Sequence, residues 1–220
     1  MSSTRIYFDN AATTSLDPEV LAAMMPFLTE KFGNPSSIYS YGRETRMAIE
    51  QARKSVAKIL GAHPAEIFFT SGGTESSNTA IYAAVRDLGC KHIITSAIEH
   101  HATSHAVQYI DHQDWAKVSF VKLLPDGHID LEDLEKLLAS TEDKTLVTLM
   151  HANNEIGNLL DIHAVGNLCK LYNAIFHCDT VQTVGHFPID LRNTPVHFIT
   201  GAAHKFHGPK GVGLLYINEK

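Results

Sequence analysis

The segments HCDTVQ at His177–Gln182 and AHKFHGPKG at Ala203–Gly211 decide how this chain is interpreted. The first is strand-like, and the second follows a short apolar run with the same character. Asp179 stands within the first segment, Gln182 ends it, and Lys205 stands in the second. In an open α/β sheet, ligands bind beyond the carboxyl ends of the strands. The sequence therefore predicts an acid, an amide and a lysine at one edge of a sheet.

Amphipathic segments alternate with short apolar runs outward from this point. Helical periodicity occurs at Pro18–Leu28, Arg43–Leu60, Glu75–Asp87, Ala102–Ile110, Leu131–Leu138 and Ile162–Tyr172, with Asp17, Asp130 and Asp161 as expected N-caps or first-turn acids. Strand-like runs occur at Ile67–Thr70, His92–Thr95, Lys117–Val121, Leu146–Met150, Ala174–Cys178, Phe198–Thr200 and Gly213–Ile217. This alternation predicts an α/β fold, a mostly parallel sheet with helices on both faces. One of the last strands is expected to run antiparallel, because no full helix separates them.

Lys205 near Asp179 suggests Schiff-base chemistry of the kind that pyridoxal phosphate (PLP) supports. This cofactor needs a lysine for its aldehyde, an acid that keeps its ring nitrogen protonated, donors for its phosphate and a planar group over its ring. Lys205 can be the lysine and Asp179 the acid. Gln182 can donate a hydrogen bond to the phenolic oxygen.

Gly72, Gly73 and Thr74 offer donors for the phosphate, because they follow a strand and open a predicted helix with free N–H groups. His100 follows another strand and can be the planar group. Each feature alone has a common structural explanation: a solvated loop lysine, a capping acid, a turn with a helix cap, or an ordinary loop histidine. Their occurrence together at successive strand ends favours the PLP site.

Several collinear motifs extend over most of the chain. They are IYFDNAATT (Ile6–Thr14), FGNPSS (Phe32–Ser37), FTSGGTESSN (Phe69–Asn78), HIITSAIEHHA (His92–Ala102), MHANNEIG (Met150–Gly157), HCDTVQTVG (His177–Gly185) and AHKFHGPKGVG (Ala203–Gly213). With these motifs the chain resembles the cysteine desulfurases of the nitrogen-fixation and iron–sulfur-cluster group, within the class V aminotransferase family of fold-type I PLP enzymes. The resemblance implies an N-terminal segment at 1–15 and a PLP-binding large domain at 16–220.

The resemblance also implies a role for each candidate residue. Lys205 and His100 would be catalytic: Lys205 would form the imine with the cofactor, and His100 would stack on the ring and shuttle protons. Asp179 would pair with the ring nitrogen and Gln182 with the phenolic oxygen. Asn154 would lie near the same oxygen or the substrate carboxylate.

The phosphate would be held by Gly73, Thr74 and His204. At Ala202 the sequence departs from the family pattern, since a serine is usual there and its hydroxyl would bond the phosphate. Loss of one charge-assisted hydrogen bond costs about 1.5–3 kcal/mol if nothing replaces it. Weaker PLP binding is therefore expected.

The activity implied by the resemblance is the PLP-dependent conversion of L-cysteine to L-alanine, with an enzyme-bound persulfide for iron–sulfur-cluster assembly or thiolation. A sulfur-acceptor protein and a homodimer would be the partners. Relatives continue beyond Lys220, into a C-terminal small domain and a mobile loop with the sulfur-accepting cysteine, so this chain alone is expected to be incomplete for catalysis. Two alternatives remain open: another class V aminotransferase-type enzyme, and a non-catalytic PLP-binding fragment.

The three cysteines offer no convincing substitute nucleophile. Cys90, Cys169 and Cys178 fit a turn, the middle of a helix and a strand face opposite Asp179, so we expect structural thiols. His101 and His105 would share a helix face, but no Cys pair or HExxH motif supports them, and no native metal is expected. His207 is expected near the site. Surface or turn positions are expected for His63, His112, His128, His163, His186 and His197.

Composition limits the remaining classes. The 220 residues carry a formal net charge of −6, so no basic surface for nucleic acid is expected. Three scattered cysteines fit a reducing compartment. The N-terminal residues Met1–Arg5 have no apolar signal region, and no apolar run is long enough to span a membrane. The sequence therefore predicts a cytoplasmic location and no membrane partner.

Overall fold

The helices and strands alternate along the chain as the sequence pattern predicts. The structure, a computed structural model, describes residues 5–219; Met1–Thr4 of the expected N-terminal segment and Lys220 lie outside the described residues. The helices are α1 (Pro18–Thr29), α2 (Ser40–Leu60), α3 (Gly73–Arg86), α4 (His101–His112), α5 (Leu131–Ala139) and α6 (Ile162–Leu171). The strands are β1 (Ile67–Thr70), β2 (His92–Thr95), β3 (Lys117–Phe120), β4 (Thr145–Met150), β5 (Ile175–Asp179), β6 (Phe198–Ala202) and β7 (Gly213–Ile217). Short 3₁₀ turns lie at Pro64–Glu66 and Ala203–Lys205.

The strands form a seven-stranded sheet in the order β1-β7-β6-β5-β4-β2-β3. Strand β7 pairs antiparallel with both β1 and β6, and the other pairs are parallel. The prediction of a mostly parallel sheet with one reversed strand near the end is therefore confirmed. Because six strands share one direction, their carboxyl ends meet at one edge.

Helices cover both faces of this sheet, as the sequence predicts. Successive strand side chains alternate between faces, so Ile94 packs in one cluster with Val165 of α6, whereas Ile93 packs in another with Ile81 of α3 and Val107 of α4. All five side chains are essentially inaccessible to solvent. The two clusters fix the sheet between its helical layers and make its edge a stable support for a site.

The three expected aspartate N-caps are confirmed. The Asp17 carboxylate accepts a hydrogen bond from the Glu19 amide at 2.7 Å. Asp130 caps α5 and Asp161 caps α6 in the same way, each through two backbone amides. These bonds satisfy donors that the first helical turn would leave unpaired.

One local expectation was wrong. The run Ala174–Cys178 matches β5 within one residue, but the strand-like segment does not continue to Gln182: β5 ends at Asp179, whose carboxylate accepts from the Val181 amide at 3.0 Å and turns the chain. His197 lies in a bend, as expected, but it is half-buried and its Nδ1 accepts from the Phe176 amide at 3.0 Å. In the described part of the chain, no helix has both the length and the apolar character needed to cross a membrane.

Candidate functional site

A cavity of about 230 Å³ lies at the carboxyl edge of the parallel strands, where β5 and β6 end and α3 and α4 begin. Of the site residues that the sequence predicts, its wall contains Gly73, Thr74, His100, Asn154, Asp179, Gln182, Ala202, His204 and Lys205, whereas Gly72, the N-cap of α3, does not line it. Ala12, Ala102, Met150 and Val181 complete it. Residues distant in sequence therefore converge on one cavity.

Lys205 is half-buried in the 3₁₀ turn that follows β6. Its Nζ donates hydrogen bonds to the backbone carbonyls of Ala11 and, at 3.0 Å, of Ala12. Burial lowers the pKa of Lys205, while the charges of Asp179 and Asp9 act in the opposite direction. The amine therefore loses its proton more easily than an ordinary lysine and is better prepared to attack a carbonyl carbon.

Asp179 is the buried acid of the cavity. Its carboxylate accepts from the Val181 amide at 3.0 Å and from the Thr200 hydroxyl at 3.3 Å. Burial raises the pKa of Asp179, and the Val181 hydrogen bond and the nearby His100 counteract this rise. A cationic group placed beside this buried carboxyl group would stabilise its charged form.

His100 lies at the start of α4 and acts as its N-cap. Its Nδ1 accepts a hydrogen bond from the Ala102 amide at 3.1 Å. A neutral imidazole with Nδ1 as acceptor carries its proton on Nε2. The ring is exposed at the cavity wall, so its Nε2 proton is accessible.

The start of α3 provides a position for an anion. Its N-cap residue, Gly72, has no side chain to accept from the first-turn amides. A Cβ built on Gly73 would lie 2.6 Å from Cγ2 of Val181 and 3.7 Å from Cβ of Ala202. A side chain at Gly73 would thus enter space that the cavity wall already uses, and the missing side chain leaves the backbone amides accessible.

The N-terminal segment closes the cavity through its contacts with His204. The carbonyl of His204 accepts from both the amide and the hydroxyl of Thr14, at 2.8 and 2.9 Å. Its Nδ1 lies 3.1 Å from the Thr13 hydroxyl. Burial and the charges of two nearby lysines lower the pKa of His204. The ring therefore remains neutral, with one nitrogen paired and one available.

Gln182 and Asn154 line the cavity with their amides engaged elsewhere. Gln182 Nε2 donates to the Ala11 carbonyl at 2.9 Å, the same oxygen that Lys205 contacts. Asn154 Nδ2 donates to the exposed Glu155 carboxylate at 2.6 Å. A ligand that used either amide would have to compete with these bonds.

Sequence reasoning missed two supports of the site. Thr200 lies opposite Asp179 in the β5–β6 register, which explains its hydrogen bond to the carboxylate. The carbonyls of Ala11 and Ala12 hold Lys205, although the motif around them was recognised. A backbone acceptor leaves no signal in the residue type, whereas Thr200 could have been found from strand pairing.

The three cysteines, all within the described residues, are buried in the core. Burial raises the pKa of Cys90 to about 11 and that of Cys169 to about 12, and it raises that of Cys178 well above its usual value. Such thiols are not ionised near neutral pH and are poor nucleophiles. Among residues 5–219, no cluster of three or more His, Cys, Asp or Glu side chains could hold a metal ion.

The donor set fits pyridoxal phosphate. A half-buried lysine, a buried acid and a helix start without a capping side chain surround one cavity. These are the groups that an aldehyde, a protonated ring nitrogen and a phosphate require. The chemistry of the wall is therefore consistent with this cofactor.

Comparison with known proteins gives a family and close relatives. The family model for class-V aminotransferases matches residues 6–220. The cysteine desulfurase IscS of Dictyoglomus turgidum is 48% identical over 97% of this chain and 54% of its own length. The cysteine desulfurase NifS of Azotobacter vinelandii is 44% identical over 96% of this chain and 52% of its own length. The chain thus spans about half the length of the curated relatives it matches.

Solved structures show the same fold. A NifS-like protein superimposes with a TM-score of 0.92 at 43% identity, covering 98% of this chain and 60% of the other. A structure described as SspA in complex with cysteine gives a TM-score of 0.92 at 33% identity, covering 98% of this chain and 62% of the other. The likeness therefore extends over the whole described sheet and its helices.

Proposed function

The chain belongs to the class-V aminotransferase family, and from this premise we propose that it binds pyridoxal 5′-phosphate as the cofactor-binding part of a cysteine desulfurase. The observation that carries the proposal is the convergence of Lys205, Asp179 and the start of α3 on one cavity. Relatives that are themselves cysteine desulfurases favour L-cysteine as the substrate. A related structure described as a complex with cysteine supports the same choice.

In this proposal the wall residues contact different parts of the cofactor. Asp179 pairs with the ring nitrogen, Gln182 bonds the phenolic oxygen, and His100 covers the ring. Gly73, Thr74 and His204 take the phosphate, with Ala202 contributing no hydroxyl. Asn154 lies near the phenolic oxygen or the substrate carboxylate. When bound, PLP supplies an electron sink that allows a proton to leave the α-carbon of an amino acid.

The proton transfers fall to Lys205 and His100. The lowered pKa of Lys205 makes its free amine available for the bond to the cofactor, and the amine takes up a proton at Nζ once it is released. The Ala11 and Ala12 carbonyls offer that nitrogen two acceptors in its free state. His100 holds a proton on Nε2 at the open side of the cavity.

The net reaction that we propose transfers one sulfur atom. The carbon–sulfur bond of L-cysteine breaks, an acceptor thiol gains the sulfur as a persulfide, and L-alanine keeps the remaining hydrogens, so the atoms balance. Buried Cys90, Cys169 and Cys178 cannot reach such a substrate, so the acceptor thiol lies outside this set. We propose that the sulfur then serves a sulfur-acceptor protein for iron–sulfur-cluster assembly or thiolation in the cytoplasm.

A second copy of the chain is the proposed partner of the N-terminal region. Helix α1 buries none of its residues, although it is apolar, and α2 exposes Met47 and Ile59. Exposed apolar side chains also include Ile6, Phe8, Phe32, Ile38 and Tyr41. Apolar surface of this extent is seldom left in water. Sedimentation at several concentrations tests the homodimer, and a monomer at all of them would contradict it.

The cofactor proposal is tested by trapping. The chain is incubated with PLP, reduced with borohydride and digested, and the modified peptide is identified by mass spectrometry. The adduct is expected on Lys205. An adduct of equal yield on Lys210 or another lysine would contradict the assignment. Alanine release from L-cysteine then tests the substrate, and release of a keto acid instead would favour another class V activity.

A further inference from the structure

Glu99 is a buried acid that the proposed chemistry does not use. It stands immediately before His100, in the loop between β2 and α4, and its side chain is 9% exposed. Its Oε1 accepts a hydrogen bond from the Ser96 hydroxyl at 2.6 Å. Its Oε2 is buried and has no hydrogen-bond partner in the described part of the chain. Among residues 5–219, no lysine, arginine or histidine forms an ion pair with it.

This environment disfavours a charged carboxylate. Burial and the negative charge of Asp179 raise the pKa of Glu99, the Ser96 hydrogen bond and the Met150 backbone reduce the rise, and the resulting pKa is about 8. The titratable groups around Glu99 are Asp179 and Cys178 on β5. Glu99 lines another cavity of about 230 Å³, and the titratable groups His128 and Asp161 line the same cavity. None of these four described groups carries a permanent positive charge.

The loop that carries His100 is fixed at two points. One is the Ser96–Glu99 hydrogen bond. The other is the buried side chain of Asn153, whose Nδ2 donates to the Ile98 carbonyl at 2.8 Å. Beyond these points the His100 carbonyl accepts from the Thr103 and Ser104 amides, and its ring caps α4 by accepting from the Ala102 amide. The position of the His100 ring therefore depends on the loop conformation that Glu99 helps to hold.

We infer that Glu99 is a positioning residue that acts as a neutral carboxylic acid, fixing the His100 loop through Ser96 and leaving Asp179 as the anion of the cavity. The part of this inference that concerns the cofactor rests on the proposed function. The protonation of Glu99 does not depend on the proposed function, because it follows from the surroundings of the side chain alone. The two can therefore fail separately.

The first measurement uses the cofactor-free protein. Infrared spectroscopy at neutral pH should show a protonated-carboxyl carbonyl band that disappears in Glu99→Gln and in the wild type as the pH rises through about 8. The same difference should persist in an Asp179→Asn background, which separates Glu99 from its neighbour. If Glu99→Gln removes no such band at neutral pH, the acid is ionised and the inference is wrong.

An exposed pair provides the matched control. Ser71 Oγ donates to Glu75 Oε2 at 2.6 Å, the same length as the Ser96–Glu99 bond. Hydrogen bonds from Ser71 lower the pKa of Glu75, which is fully exposed to solvent. Glu75→Gln should therefore leave the acid carbonyl band unchanged. A loss of equal size there would show that the band does not report burial.

The second measurement follows cofactor binding, with adduct formation on Lys205 as the readout. Glu99→Gln keeps an acceptor for Ser96 without charge and should bind PLP within about threefold of the wild type, whereas Glu99→Ala and Ser96→Ala should bind about tenfold more weakly. If Glu99→Ala does not fold, Ser96→Ala takes its place in the comparison with Glu99→Gln. Equal weakening by Gln and Ala would overturn the positioning role. A wild type that forms no adduct contradicts the proposed function, and the infrared result then decides the protonation of Glu99 by itself.

Discussion

Two cavities lie at opposite edges of the sheet, and the larger one lacks the features of a cofactor site. It has a volume of about 630 Å³ and lies at the amino edge, where β5 and β6 begin and β7 ends. The smaller one, of about 230 Å³, lies at the carboxyl edge and contains Lys205 and Asp179. The difference shows that volume alone does not identify a binding site.

Several polar groups of the larger cavity are already paired with neighbouring groups. Arg192 Nε donates to Asp190 at 2.9 Å, and Asn193 donates to the same carboxylate at 2.9 Å. Glu66 accepts from the His63 amide at 2.7 Å and closes a capping box. These bonds build turns and leave little capacity for a ligand.

The smaller cavity has titratable groups with shifted pKa values and a helix start without a capping side chain. Its acid has a raised pKa, its lysine a lowered one, and the helix that opens beside them has a glycine N-cap. Perturbed titratable groups in a cleft are typical of functional sites. Parallel strands account for the location, since their carboxyl ends deliver several loops to the same edge.

Replacing one lysine of each cavity should give the largest difference between the two cavities in PLP binding. Lys205→Ala should abolish the borohydride-trapped PLP adduct, because the nucleophilic amine is removed. Lys170→Ala, in the wall of the larger cavity, should leave the yield unchanged. Both variants should keep the circular dichroism of the wild type. A normal adduct yield in Lys205→Ala would mean that another lysine forms the bond to PLP.

Replacing one acid of each cavity should give the second-largest difference in PLP binding. Asp179→Asn keeps acceptors for Val181 and Thr200 but removes the charge opposite the cofactor ring, so PLP affinity should fall by about 10- to 100-fold. Glu219→Gln removes a charge beside the larger cavity and should not change the affinity. Fluorescence titration measures both. Equal affinities for Asp179→Asn and the wild type would rule out the ring-nitrogen role.

Much of the fold was predictable from the sequence because periodicity and capping reflect local physics. The runs that end at Thr70 and Thr95 are strands as expected, and Asp130 and Asp161 cap helices. The run Ala174–Cys178 predicted the end of β5 to within one residue, whereas the strand-like character did not extend to Gln182, because the side chain of Asp179 bonds to the Val181 amide in competition with the ladder.

The site was predictable to the extent that it depends on side-chain chemistry. Lys205 and Asp179 were recognisable, and the structure brings them to one cavity. The supporting roles of Ala11 and Ala12 were not, because they act through carbonyl oxygens whose position depends on the tertiary fold. The hydrogen bond of His197 to Phe176 was not predictable for a similar reason, since it requires the β5–β6 pairing.

Two adjacent glycines sharpen the comparison within the smaller cavity. A Cβ on Gly73 would meet Val181 at 2.6 Å, whereas a Cβ on Gly72 would meet nothing within 4 Å. Gly73→Ala should therefore weaken PLP binding by about 10- to 30-fold through overpacking at the anion position. Gly72→Ala should bind nearly normally, with thermal unfolding as the control for both. Equal weakening in the two variants would mean that general helix disruption, not the cavity wall, is the cause.

The smallest expected effect is a gain at Ala202. Its Cβ lies 3.7 Å from the Cβ position of Gly73, so a hydroxyl there would be near the amides of the α3 start. Ala202→Ser should tighten PLP binding by about fivefold, and by no more than about tenfold, because one additional hydrogen bond contributes ~1 kcal/mol. The test is a PLP titration of this variant beside Ala174→Ser, a buried alanine of the larger cavity, which should gain nothing. Equal or weaker binding by Ala202→Ser would mean that another group, such as the Thr74 hydroxyl, already fills the place that the resemblance gives to a serine.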